Sequence, residues 1–271
     1  MASITEKVLN IEVCVEENNE KFICPFKIAS EMPSKDKEGY NIYNFIVFTY
    51  PNDGDYLKTG FRKMCIDSWH IAFSRIRIIY IDVSKCLDLC KWTELYYVRK
   101  SYPTDPLRPL FLSFLDNGIY CDTDVFLHPK TRDLLPLCQG FFVGEYGCSG
   151  TFLWNKEKNN QHFMKWFEIY NEMEPDPEDY LNTDCEVFSR FKRTIDVPDL
   201  YTRYICNHFS LIWVNIRDNK PFKIKFQHAV GKEIMCASFC KESYYAFMQY
   251  CKEKGYEKYI SEESDEVVCF L

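Results

Sequence analysis

Two long apolar runs with an amphipathic helix between them constrain this chain more than any other feature of its sequence. "YNFIVFTYPNDGDY" is continuously apolar over residues 45–50 and stops at Pro51-Asn52-Asp53-Gly54. A strand covered on both faces reads as such a run, because neither face alternates with solvent. "GFRKMCIDSWHIAF" then places Phe61, Met64, Cys65, Ser68 and Ala72 at helical spacing, and "RIRIIYIDV" predicts a second buried strand over 76–81, ending at Asp82. Strand, helix, strand in that order is the signature of a parallel sheet with helices on its faces. With 46% apolar and 17% aromatic residues in 271, the chain can bury a substantial core and is not a disordered one.

The expected architecture is a single α/β domain, Rossmann-like, with a mixed, mostly parallel sheet flanked by helices. Residues 1–40 read as a polar N-terminal extension, least organised around "SEMPSKDKEGY", and 41–235 as the domain proper. Residues 236–271 read as a C-terminal helix, "SYYAFMQYCKEK", and an acidic tail on the same domain. "TDPLRPLFLSFLDNG" predicts a helix over about 106–116 with Asp105 as N-cap and Pro106 at its first position, ended by Asn117-Gly118. A short strand, 119–121, follows. "GFFVG" and "GTFLWN" read as further strands, "NNQHFMKWFEIYNEM" and "TDCEVFSRFK" as helices, and "FKIKFQHAVG" as a strand stopping at Gly231.

Several function classes are excluded at this level. The net charge of −7 argues against a nucleic-acid partner, which would favour a basic face. No apolar stretch approaches the ~20 residues that a transmembrane segment needs. The N-terminus is too charged for a secretory signal, and the 14 cysteines are scattered without a CxxC pair. Reduced thiols in a cytoplasmic protein are the expectation.

The chemistry centres on "GIYCDTDVFLHP", where Asp122 and Asp124 stand one residue apart at the end of an apolar strand. Ligands of open α/β sheets bind beyond the carboxyl ends of the strands. Asp122 and Asp124 could cap the next turn. They could be nucleophile and general acid of a haloacid-dehalogenase-like phosphatase. They could also be ligands of a divalent cation on a diphosphate, where carboxylate oxygens suit Mn²⁺ and Mg²⁺ alike. A βαβ unit precedes the pair and no later Gly-Asp-x-x-x-Asp motif follows, both against the phosphatase.

"DPLRPLFLSFLDNGIYCDTDVFL" resembles the D-x-x-R…L…GG-x-Y-x-D-x-D-V signature of retaining glycosyltransferases of the GT-A fold, the families that include yeast mannosyltransferases and glucosylating clostridial toxins. Asp105, Arg108, Gly118, Tyr120, Asp122 and Asp124 all have counterparts, with Asn117 where the first glycine is usual and one extra residue between Arg108 and Gly118. "YGCSGTFLWN" resembles the segment lining the donor-sugar pocket, with Ser149 and Gly150. "LNTDCEVFSRF" resembles the N-D-Q segment and places Asp184 beside the anomeric carbon. "FQHAVGK" resembles the H-x-x-G-x-K region, with His228, Gly231 and Lys232.

The resemblance implies a metal-dependent hexosyltransferase. It takes a nucleotide-sugar donor, a UDP-sugar first, and a glycan, lipid-linked or protein acceptor. It assigns the metal to Asp122, Asp124 and His228, and catalysis to Asp184. Donor binding falls to Asp105, Arg108, Tyr120, Asp122, Ser149, Gly150, Gly231 and Lys232. A phosphatase, or a non-catalytic module that binds a nucleotide-sugar, are the alternatives. Individual residues also have plain structural readings: Arg108 could cover a helix face, Asp184 cap a helix, Asp82 merely end a strand and Tyr50 pack in the core. His128, four residues after Asp124, is a further possible ligand.

Overall fold

In the computed structural model the described residues are 3–50, 60–97, 104–123, 125–127, 132, 135, 141–144, 152–176, 178–194, 224–225, 236–238 and 266–267. Helix α1 (Ile4–Leu9) leads into a hairpin of β1 (Glu12–Glu17) and β2 (Glu20–Pro25), followed by α2 (Phe26–Glu31). The expected βαβ unit is present as β3 (Tyr43–Thr49), α3 (Gly60–Ala72) and β4 (Ile76–Asp82). Then come α4 (Leu107–Leu112), β5 (Gly118–Cys121), β6 (Val125–Leu127), β7 (Phe141–Gly144), β8 (Phe152–Asn155), α5 (Gln161–Glu172) and α6 (Tyr180–Thr194). Three short strands complete the set: β9 (Ile224–Lys225), β10 (Cys236–Ser238) and β11 (Glu266–Val267).

The main sheet has seven strands in the order β2-β1-β4-β3-β5-β8-β7. The fold class is α/β with a mixed sheet, but the expectation of a mostly parallel one is corrected. Among the described residues only β4-β3 and β3-β5 pair in parallel; β1-β2, β1-β4, β5-β8 and β7-β8 are antiparallel. For β1-β2 and β7-β8, which follow one another in the chain, the reason is connection length, because a parallel pair needs a crossover of a dozen or more residues and neighbours joined by fewer turn back on themselves. Asn18 and Asn19 join β1 to β2 with φ of 53° and 65°, the left-handed pair of a tight hairpin turn. Residues 1–40, expected as an N-terminal extension, supply two strands of the sheet. Arg77 ties them in: its buried guanidinium meets Glu17 Oε1 and Asn44 Oδ1, each at 2.9 Å.

Side chains alternate across each strand, so period-two parity sorts the core into two layers. Ile46, Phe48, Ile79, Ile81, Tyr120 and Leu153 face the layer built with α4, α5 and α6. Phe45, Val47, Ile78, Ile119, Cys121 and Trp154 face the layer built with α3, where Phe45 stacks on Trp69 at 5.0 Å. Trp69 and Trp166 are both fully buried core residues. Among the described residues no helix is long and apolar enough to cross a membrane.

Candidate functional site

The site is set by the turn from α4 into β5. Helix α4 is shorter than the expected 106–116, because its last turn tightens to i→i+3 bonds, Phe114 N–H to Phe111 O and Leu115 N–H to Leu112 O. Asn117 then adopts φ 47°, a left-handed conformation that asparagine tolerates, as its place in the turn predicts. Gly118 starts β5 with its Cα between Leu112 and Leu115, where a Cβ would lie 3.0 Å from Leu112 Cδ2 and Leu115 Cβ. Asparagine supplies the backbone bend and glycine the room.

Two side-chain amides and one backbone bond hold this turn in place. Asn155 Nδ2 donates to Leu112 O at 2.9 Å and Leu115 O at 3.2 Å, and Asn44 Nδ2 to Asp116 O at 2.7 Å. The N–H of Asn117 reaches Lys156 O at 2.9 Å. On the far side, Ser68 Oγ of α3 accepts from the Leu127 N–H at 2.9 Å, fixing the strand that leaves the carboxylate pair.

Because Tyr120 and Asp122 are two apart, both point to the α4 side of the sheet, and there they meet Arg108. The guanidinium lies 4.5 Å over the Tyr120 ring, 2.8 Å from Asp105 Oδ1 and 3.4 Å from Asp122 Oδ1. The Tyr120 hydroxyl donates to Asp122 Oδ1. Burial pushes Tyr120 ionisation far above the usual range; Arg108 opposes this and Asp122 adds to it, so the phenol is a neutral donor. The expectation that Asp105 caps the helix is corrected. Pro106 occupies the cap position with no side-chain bond, and the Asp105 carboxylate, 6% exposed as a residue, turns to Arg108 instead. A buried carboxylate takes a cation in preference to backbone N–H groups that the first turn can satisfy in other ways.

Asp184 is inside α6, in its second turn, so its reading as a cap is corrected as well. It is 2% exposed and accepts the Tyr170 hydroxyl on Oδ1 at 2.5 Å. Burial raises Tyr170 ionisation well above the usual range, Asp184 and then Asp105 add to it, and Arg108 opposes them. Asp184 and the Asp105–Arg108 pair therefore act on one phenol and belong to one electrostatic neighbourhood. Two side readings resolve structurally: Asp82 caps the following turn through Ser84, and Tyr50 packs partly buried against the core.

Asp105, Arg108, Tyr120, Asp122 and Asp184 are thus brought together. Asp124, His128, Ser149, Gly150, His228, Gly231 and Lys232 lie outside the described residues. Among the described residues no three His, Cys, Asp or Glu side chains gather as a metal site. Asp122 nonetheless suits a hard cation. Its side chain is 27% exposed, both contacts above fall on Oδ1, and the Asp105 carboxylate shares the same arginine. Sequence reasoning missed Tyr170, because it continues the apolar face Phe163, Trp166 and Phe167 of α5 and reads there as core. A separate cleft of about 620 Å³, lined by Ser113, Phe114, His162, Met164, Lys165 and Glu168 among others, shares none of these site residues.

Comparison with protein-family models, with curated proteins and with solved structures finds no match.

Proposed function

We propose that this protein is a metal-dependent glycosyltransferase. It moves a sugar from a nucleotide-sugar, of the UDP-sugar type, to a hydroxyl of a glycan, lipid-linked or protein acceptor, with retention of configuration, on a GT-A-like domain in the cytoplasm. The observation that carries this is the convergence of Asp105, Arg108, Tyr120 and Asp122 on one sheet face, with Asp184 joined to them through Tyr170. A nucleotide-sugar presents hydroxyls beside a diphosphate, and carboxylates beside a planar guanidinium match that mixture.

In this proposal Asp105 and Arg108 grip the donor, and Tyr120 keeps Asp122 in place by its hydrogen bond. Asp122, with Asp124 and His228, would hold Mn²⁺ or Mg²⁺. A cation there neutralises charge on the departing diphosphate. Ser149 and Gly150 would line the sugar pocket, and Gly231 and Lys232 the diphosphate. The pairing of β10 with β6, Cys236 opposite Leu127 and Ser238 opposite Val125, supports this, since it returns the chain that follows Lys232 to the strand leaving the carboxylate pair.

Asp184 would stabilise positive charge developing on the sugar as its bond to the phosphate oxygen breaks. The acceptor oxygen bonds to the anomeric carbon on the same face, and its proton passes to the released diphosphate. In a phosphatase Asp122 would be the nucleophile. An oxygen already engaged by Tyr120 and Arg108 suits an electrostatic ligand better.

The test is a panel of UDP- and GDP-sugars with Mn²⁺, scoring nucleotide release by the native protein and by Asp124→Asn. Release from a UDP-sugar, falling on the order of 100-fold in the variant and on chelation, is expected. Equal release from both proteins would sink the metal assignment, and binding of UDP without release would leave a non-catalytic module.

A further inference from the structure

We infer that Tyr170 is a positioning residue whose hydroxyl sets the orientation of the Asp184 carboxylate for the transferred sugar. The inference rests on the glycosyltransferase reading above and extends it to a residue that carries no motif. Tyr170 is fully buried near the end of α5. Its ring meets Trp92 edge-on, with centroids 5.0 Å apart at 84°. Trp92 is itself held by its indole N–H, which donates to Met173 O at 2.9 Å just past the end of that helix. The phenol therefore reaches Asp184 Oδ1 from a fixed direction at 2.5 Å.

A tyrosine serving only to fill this layer would bury a hydroxyl to no purpose, and phenylalanine would do as well. A carboxylate in a helix interior facing an apolar layer is likewise costly without a donor. The hydrogen bond between them offsets part of both costs, in a fixed geometry. The neutral phenol has no proton to give up at working pH, so it acts through the direction of its bond. One Asp184 oxygen, Oδ1, thereby takes a hydrogen bond from a fixed direction, which orients the carboxylate. An interaction that matters most when charge develops on the sugar appears in kcat more than in KM.

The experiment measures nucleotide release from the UDP-sugar that the wild type turns over, with Mn²⁺, in Tyr170→Phe, Asp184→Asn and the double variant of the full chain. Tyr170→Phe is expected to lower kcat about 10- to 100-fold, the effect of losing a hydrogen bond to a charged group, with donor KM changed less than about threefold. The double variant should be no slower than Asp184→Asn, because Tyr170 acts only through that carboxylate. Trp92→Phe, which leaves Tyr170 chemically intact, provides a second variant if Tyr170→Phe does not fold, with a kcat loss of a few-fold expected. Unchanged kcat in Tyr170→Phe, or losses that multiply in the double variant, would overturn the inference and leave the glycosyltransferase reading standing. A wild type inactive on every donor would overturn that reading, and the inference with it.

Discussion

Arg108→Met is the perturbation that tests most directly whether the candidate site is one electrostatic unit. Methionine keeps much of the aliphatic stem and deletes the guanidinium. The side chains of Arg108 and Asp105 are 12% and 8% exposed, so the variant leaves Asp105 as a charge in the protein interior without its partner at 2.8 Å. Breaking a buried pair from one side costs about 3–5 kcal/mol, and the contact with the Tyr120 ring adds about 1 kcal/mol. Asp122 contributes little to this sum, being more exposed and farther away at 3.4 Å.

The expected loss is about 5 kcal/mol, or about 10–20 °C in Tm for a chain of this size. It can be read from urea unfolding by tryptophan fluorescence and from thermal melts. Adding Asp105→Asn should restore stability to within about 1–2 kcal/mol of wild type, because removing both charges leaves none buried alone. A single variant within 1 kcal/mol of wild type, or a double variant as unstable as the single one, would refute the buried-pair account.

Two further outcomes follow from local geometry. Asn117→Gly should leave stability nearly unchanged, whereas Asn117→Ala should cost about 1 kcal/mol in urea unfolding, because alanine pays the left-handed penalty at φ 47°; equal stability of the three would show that the turn relaxes. Glu16 is held below its usual value of 4.5: burial raises it, but the hydrogen bonds from Lys21 and Tyr80 outweigh that. The unfolded chain therefore takes up this proton first as acid is added. The Glu16 contribution is complete above about pH 4.5 and disappears as pH falls through the lower folded value. Glu16→Gln should be less stable than wild type at pH 7, with a difference that shrinks as pH falls below about 4.5, and a difference that does not change with acid would contradict this.

Much of the frame could be read from local pattern. The βαβ unit, the strand before the aspartates, the left-handed Asn117 and the helices of α5 and α6 all follow from periodicity and turn chemistry within a few residues. The β1–β2 hairpin was also legible, since Ile11, Val13 and Val15 alternate before Asn18-Asn19, but the surrounding charges suggested an extension. Sheet direction was not, because β5-β8 and β1-β4 join segments far apart in the chain, and their polarity depends on how the connections pack.

The same division runs through the site. By itself the sequence determined that Tyr120 and Asp122 share a sheet face, because a strand repeats every two residues whatever surrounds it. Only the tertiary structure decided that Asp105 turns from its helix to Arg108, and that Tyr170 reaches Asp184. Those choices depend on which charges and hydroxyls are buried together, and burial is set by the packing of α4, α5 and α6 rather than by residues near in the chain.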